Sequence, residues 1–300
     1  MSDTTPTSAT TSTQGPLPEP TALARTLRVL SGNRTGVIGF VLVALIIGAA
    51  VLAPWIAPYD PVAIMVGPRM APPSAEHWLG TDNIGRDIFS RVIAGGRIAM
   101  LVAMASLASA LSVGLALGLI AGLGPRWLDN VLLLLFDALR SFPVIVFGLA
   151  VVTIIGPSLF TVVLVVAITS VPIYARIVRT QTMALKNAEF ILAERAMGVG
   201  MPRLLAIHVL PNVLGPLLIL ASMDVPLVIA TEAGLSFLGM GVRPPTPSWG
   251  VILNDGYNFI RNSPWPVIGG ANSVNLGSLG FTFMGEALRD IFDPKLRKAR

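Results

Sequence analysis

No residue between Thr35 and Tyr59 carries a charge. About 20 consecutive apolar residues suffice to cross a hydrocarbon core about 30 Å thick, and Gly36 to Ala53 is nearly such a run before Pro54 and Pro58 end it. Inside lipid every peptide N–H and C=O must be paired within the protein, which leaves α-helices and closed barrels. A continuous apolar run, without strand-like alternation, selects the helix. The pattern recurs. Ile98 to Gly124 is uncharged and holds Gly114, Gly118 and Gly122 at four-residue spacing, a small-residue face suited to close helix packing. A third span is expected from about Leu128 to Ala150, interrupted by Asp137 and Arg140. A fourth follows Gly156-Pro157, from about Ser158 to Ile173, and a fifth runs from Asn212 to Ile229 with Asp224 and Pro226 inside it.

Composition agrees with a membrane protein. Charged residues are 12% of the chain and hydrophobic residues 53%, whereas a soluble domain carries about 25% charged residues. Cysteine is absent, which removes disulfide frameworks, thiolate metal sites and cysteine nucleophiles together. With His77 and His208 as the sole histidines, a His-rich metal site has no material, and no Ser/His/Asp set or His-Glu-x-x-His is present. The lysines are Lys186, Lys295 and Lys298, and no Gly-x-x-x-x-Gly-Lys-Ser/Thr stretch occurs, so the chain lacks the phosphate-binding loop of a nucleotide hydrolase. The net charge of +5 is not clustered as a nucleic-acid groove requires.

A sixth candidate span, Val267 to Met284, is polar for its length, with Asn272, Ser273, Asn275, Ser278 and four glycines. It qualifies only if its polar side faces protein or water. The distribution of Lys and Arg decides the count. With the amino terminus cytoplasmic, fourteen fall inside and six outside (Arg69, Arg86, Arg91, Arg97, Arg243 and Arg261). That bias places both termini inside and requires an even number of spans, hence six. The expected architecture is all-α and polytopic. Residues 1–34 form a cytoplasmic tail, disordered in its Thr/Ser/Pro-rich first part. Residues 35–97 form the first span and an extracytoplasmic segment, 98–286 the transmembrane core with a loop at 175–211, and 287–300 a cytoplasmic tail.

The segment Phe190 to Pro211 is polar, bears arginines and lies between apolar runs. Phe190, Ala193 and Met197 recur at i, i+3 and i+7, giving a helix one apolar face. Gly198 and Gly200 stop it, and Pro202 suits the first turn of a second helix. A short surface helix of this kind can insert its apolar residues into a groove on a partner; the alternative is a solvated connection between spans.

This segment resembles the "EAA" loop of permease subunits of binding-protein-dependent ABC importers. Gly198 matches the signature glycine and Leu210-Pro211 its ending, with His208 and Asn212 as in peptide-type permeases. The signature acid is displaced: Leu192 stands in its place and Glu194 holds the second alanine position, about 200° further around a helix. Leu79 to Arg91 with Gly95, Gly96 and Arg97, Glu232 to Gly250, and Gly285 to Arg297 are similar to segments of dipeptide/oligopeptide permeases, specifically their C-type subunit. Bottom-up, Leu79–Arg91 reads as an outer turn plus an amphipathic helix on which Asp82, Arg86 and Asp87 pair.

The resemblance implies a transport subunit, not an enzyme, moving di- or oligopeptides across the bacterial cytoplasmic membrane by alternating access. Nickel or another small solute on the same scaffold, or an ATPase-independent channel, are the alternatives. The implied partners are a homologous permease subunit, two cytosolic ATPases carrying ATP and Mg, an extracytoplasmic substrate-binding protein and membrane lipid, with no nucleic acid. Phe190, Ala193, Glu194, Met197, Gly198 and Arg203 are the expected ATPase-coupling residues. Asp137, Asp224, Glu232, Ser236, Gly239 and Pro245 are candidates for the path or its gate. A charge facing lipid at mid-bilayer costs about 2.5–3.5 kcal/mol, so the ionisable ones should face the interior. Asp137 and Arg140 either neutralise each other on one helix face or serve the substrate. Glycines and prolines between Gly234 and Gly250 are expected to exclude regular helix.

Overall fold

The computed structural model describes residues 33–292, and the expectations for the two terminal tails fall largely outside them. Every regular element among these residues is helical, the exception being an isolated antiparallel bridge between Thr81 and Asp87. Helix α1 (Arg34–Ile56) starts where the Asn33 side chain accepts a hydrogen bond from the Gly36 N–H. An irregular segment follows. Helix α2 (Ile88–Leu123) opens on Asp87, whose carboxylate accepts from the Ser90 N–H at 2.8 Å. Of the turn plus amphipathic helix expected within Leu79–Arg91, the turn takes most of the segment and the helix begins only at Ile88. The Asp82 carboxylate instead accepts from the N–H groups of Ile84 and Arg86, holding the turn before the helix.

At 36 residues, α2 is about 54 Å long and exceeds the hydrocarbon thickness. It packs along α5 (Leu159–Lys186), capped by Ser158. A Cβ at Gly114 would meet Tyr174 Cβ at 2.7 Å, one at Gly118 would meet Val178 Cβ at 2.6 Å, and one at Gly122 would meet Thr182 Cβ at 2.8 Å. The small-residue face is thus the contact face, and its four-residue period is answered by the same period on α5.

The third expected span is broken. Helix α3 (Arg126–Arg140) and helix α4 (Val144–Ile155) meet at 91°. Pro143 explains the break, because proline disfavours helical conformation in the residue before it and contributes no N–H. Four helical segments are long and apolar enough to cross a membrane, α1, α2, α5 and Leu205–Phe237, or five if α3 and α4 together make one span.

Beyond α5 lie α6 (Glu189–Ala196), the short α7 (Met201–Leu204), a π-type turn over Leu205–Val209, and α8 (Leu210–Phe237). The wide turn has a cause. Pro211 cannot donate, and its ring crowds the carbonyl four residues back; the Leu210 N–H reaches to the Leu205 carbonyl, loosening the helix there. The helix continues through Pro211 instead of starting at it. At the other end α8 runs on to Phe237, further than the glycine and proline content suggested, and Gly239 at φ +76° turns the chain away.

Helix α9 (Trp249–Asn258), capped by Ser248, was not expected from the sequence. Helix α10 (Trp265–Phe292) packs on α8, α9 and α1, with Gly39 of α1 closely apposed to Phe283 and Met284. Its length suffices for a span but its composition does not. Asn272 and Asn275 are exposed on it, while the Ser273 hydroxyl donates to the Gly269 carbonyl.

Candidate functional site

The residues singled out in the sequence fall in three places. The first is the loop between α5 and α8. In α6 Ile191 is buried, while Phe190, Leu192, Ala193, Arg195 and Met197 are exposed, Met197 at 75%. Gly198, at φ +85°, ends the helix, and a Cβ there would meet nothing within 4 Å. Arg203 on α7 is exposed, as is Met201. Glu194 is half-buried and faces inward, with Oε1 2.8 Å from His208 Nε2 on the π-type turn. The Phe190 ring meets the same histidine edge-on. The displaced acid therefore ties α6 to the base of α8, while the apolar side chains Leu192 and Met197 stay exposed.

The second place is an open cleft near the middle of the helices, where the broken pair α3–α4 faces α5 and α8. Among apolar side chains it is lined by Arg140, Phe142, Thr169, Ser170, Asp224 and Thr231. The Tyr174 hydroxyl donates to Asp224 Oδ2 at 2.7 Å. The Thr169 and Thr231 hydroxyls donate to carbonyls of their own helices. Asp137 does not pair with Arg140. It is exposed and forms an ion pair with Arg176, because α5 lies alongside α3. Arg140 sits at the end of α3 and lines the cleft instead.

The third place is the carboxyl-terminal end of α8 and the connection that follows it. Glu232 is buried, 1% exposed, and Ser236 donates to its Oε1 at 2.7 Å. Gly239 and Pro245 are exposed in the connection that follows. Beside it lies a buried charge cluster. Arg91 donates to Asp82 Oδ2 at 2.5 Å and to Asp255 Oδ2 at 3.0 Å, and Arg86 donates to the same two oxygens at 2.6 and 2.9 Å. Two guanidinium groups and two carboxylates balance, which is how buried charge is tolerated. The Trp249 indole N–H adds a bond to the Val92 carbonyl at 2.9 Å, so α9 is fastened to the outer part of α2. Asp87, expected to pair with Asp82 and Arg86 at helical spacing, caps α2 and accepts from His77.

The structure thus brings Asp224 and Arg140 to one cleft, sets Glu232, Ser236, Gly239 and Pro245 apart at the end of α8, and keeps Phe190, Ala193, Glu194, Met197, Gly198 and Arg203 on the loop between α5 and α8. Tyr174, Arg176, His208 and Asp255 were not picked out from the sequence as partners. Tyr174 and Asp224 are 50 residues apart and Arg86 and Asp255 are 169 apart, beyond any local spacing rule.

The family model for the binding-protein-dependent transport system inner membrane component matches residues 114–298. The chain belongs to that family. The model for the N-terminal TM domain of oligopeptide transport permease C matches residues 21–73. Among relatives, the dipeptide transport system permease protein DppC of Alkalihalophilus pseudofirmus is 38% identical, over 89% of this chain and 88% of its own. The oligopeptide transport system permease protein OppC of Bacillus subtilis is 36% identical, over 89% and 87%. The fold resembles a chain of the MetNI methionine ABC transporter in an inward-facing conformation, with a TM-score of 0.55 at 18% identity, covering 68% of this chain and 97% of that one. Family and apolar helices together make this a multi-pass protein of a bacterial inner membrane.

Proposed function

We propose that the chain is one of two permease subunits of an ATP-driven importer of di- and oligopeptides, and that Phe190–Arg203 is where the ATPase docks. The observation that carries this is the exposed apolar surface of Phe190, Leu192, Met197 and Met201 on a loop between two long helices. Exposed apolar clusters rimmed by polar residues mark protein contacts, and here Arg195 and Arg203 supply the rim. Closure of the two ATPases pushes on α6. The Glu194–His208 pair passes the motion to α8, and the spans rotate to open the path alternately to each side. ATP and Mg reside on the partner subunits, and an extracytoplasmic binding protein delivers the peptide.

The excess of Lys and Arg on one side supports cytoplasmic termini and six spans, with α3–α4 as the third and α10 as the sixth. Asn272 and Asn275 then face the companion permease, since an amide against lipid is costly. The core is 98–286, with the coupling loop at 175–211. Glu232, Ser236, Gly239 and Pro245 form an outer gate, and Asp137 pairs with Arg176 beside the path. The names of the relatives favour peptides over nickel or another solute.

The test is recovery of the ATPase with this chain. Gly198→Arg projects a large charge into the open space beside the apolar surface, on a backbone that resists a side chain. ATPase recovery is expected to be lost; recovery equal to wild type overturns the docking assignment.

A further inference from the structure

Inside the cleft the sequence's two charges of opposite sign are left available. Asp137, which three-residue spacing would pair with Arg140, is taken by Arg176, and Arg140 makes no ion pair among the described residues. Asp224 accepts the Tyr174 hydroxyl on Oδ2, leaving Oδ1 without a partner among the described residues. Arg140 and Phe142 stand near the middle of Arg126–Ile155, Ser170 and Tyr174 near the middle of α5, and Asp224 just past the middle of Leu205–Phe237. The broken pair α3–α4, α5 and α8 thus each contribute to the cleft near their middles, and in a bilayer an unpaired charge is most costly at the middle of a span. A broken helix at that depth is tolerated where it lines a cavity, and transporters place solute sites at such breaks. Two opposite charges that line one cleft without pairing with each other can be satisfied together by a solute that carries both signs.

We propose that Arg140 and Asp224 form a bipolar relay site for the ends of a zwitterionic peptide. Asp224 receives the terminal ammonium and Arg140 the terminal carboxylate, the latter through the forked donor geometry that guanidinium offers a carboxylate. Tyr174 is a positioning residue: its hydroxyl fixes the Asp224 carboxylate and orients the free oxygen. Phe142 and the apolar walls supply contact without selecting a side chain. The site thus grips features that every short peptide shares. This inference rests on the peptide-importer reading above.

The test uses the complete complex in proteoliposomes, with a photoreactive benzophenone side chain placed at Ile173, which also lines the cleft. Radiolabelled dipeptide is photolysed during ATP-driven uptake, and each complex is compared at equal assembled amounts. The wild-type complex is expected to cross-link the peptide. Asp224→Asn and Arg140→Gln should each lower cross-linking and uptake at least about tenfold, as loss of a charge-assisted hydrogen bond predicts. Asp224→Glu and Arg140→Lys should restore much of both. Peptide uptake without a cross-link overturns the site and leaves the importer reading standing. So does wild-type behaviour in both neutral variants, or a loss that the charge-conserving variants fail to restore. If the wild-type complex imports no peptide, the importer reading itself fails.

Discussion

Replacing Gly114 by alanine adds one methyl group where α2 and α5 touch closely. The new Cβ would lie 2.7 Å from Tyr174 Cβ, 3.2 Å from the Ala175 nitrogen and 3.3 Å from the Val171 carbonyl oxygen. Carbon atoms rest at about 3.5–4.0 Å, so the helices must part by roughly 1 Å. None of these atoms is the far end of a flexible side chain, so rotamer changes cannot absorb the strain. Overpacking of this kind costs about 1–3 kcal/mol, against about 0.5–1 kcal/mol gained because alanine is the better helix former. Net destabilisation is therefore expected. Gly48→Ala supplies the matched control, since a Cβ there meets nothing within 4 Å and only the propensity gain of about 0.5–1 kcal/mol remains. Thermal melts followed by intrinsic fluorescence of the five tryptophans should place Gly114→Ala below wild type and Gly48→Ala at or above it. Peptide uptake should fall in Gly114→Ala, because Tyr174 moves and its hydroxyl positions Asp224. A Gly114→Ala protein melting as high as Gly48→Ala would refute the packing described for α2 and α5.

Arg91→Ala removes one of the two guanidinium donors to both the buried Asp82 carboxylate and Asp255, leaving two carboxylates against Arg86 alone. Breaking one side of a buried pair costs about 3–5 kcal/mol, so the melt should drop sharply, and more than for Asp255→Asn, whose side chain is 26% exposed. Equal melts for Arg91→Ala and wild type would contradict the cluster's role in fastening α9 to α2. Glu194→Gln removes a half-exposed pair with His208; such pairs contribute about 0.2–1 kcal/mol, so ATPase recovery should fall by no more than about fivefold. Loss as complete as in Gly198→Arg would mean that Glu194 touches the ATPase directly.

How much of this was legible depends on range along the chain. The uncharged runs marked α1, α2 and α5, and an apolar run interrupted by Asp224 marked α8, because burial in lipid acts on each residue locally. The spacing of Gly114, Gly118 and Gly122 gave the contact face of α2, and Phe190, Ala193 and Met197 gave α6. Pro143 was visible, but the apolar character continues across it, and a hydropathy window averages through a 91° bend. The Asp137–Arg140 spacing suggested a local pair that Arg176, 39 residues away, takes instead. Helix α9 was hidden behind a stretch rich in glycine and proline. The polar α10 reads weakly because its composition reflects what it faces as well as what it crosses.

The central claim is that ATP hydrolysis by a partner, transmitted through the Phe190–Arg203 loop, drives peptide import. It is tested most directly by measuring labelled dipeptide uptake and retained ATPase in the same proteoliposomes, with wild-type chain and with Gly198→Arg. Uptake by the wild-type complex is expected only with ATP present, and neither uptake nor bound ATPase is expected with Gly198→Arg. Uptake that proceeds without nucleotide, or that persists in Gly198→Arg after the ATPase is lost, would contradict that claim.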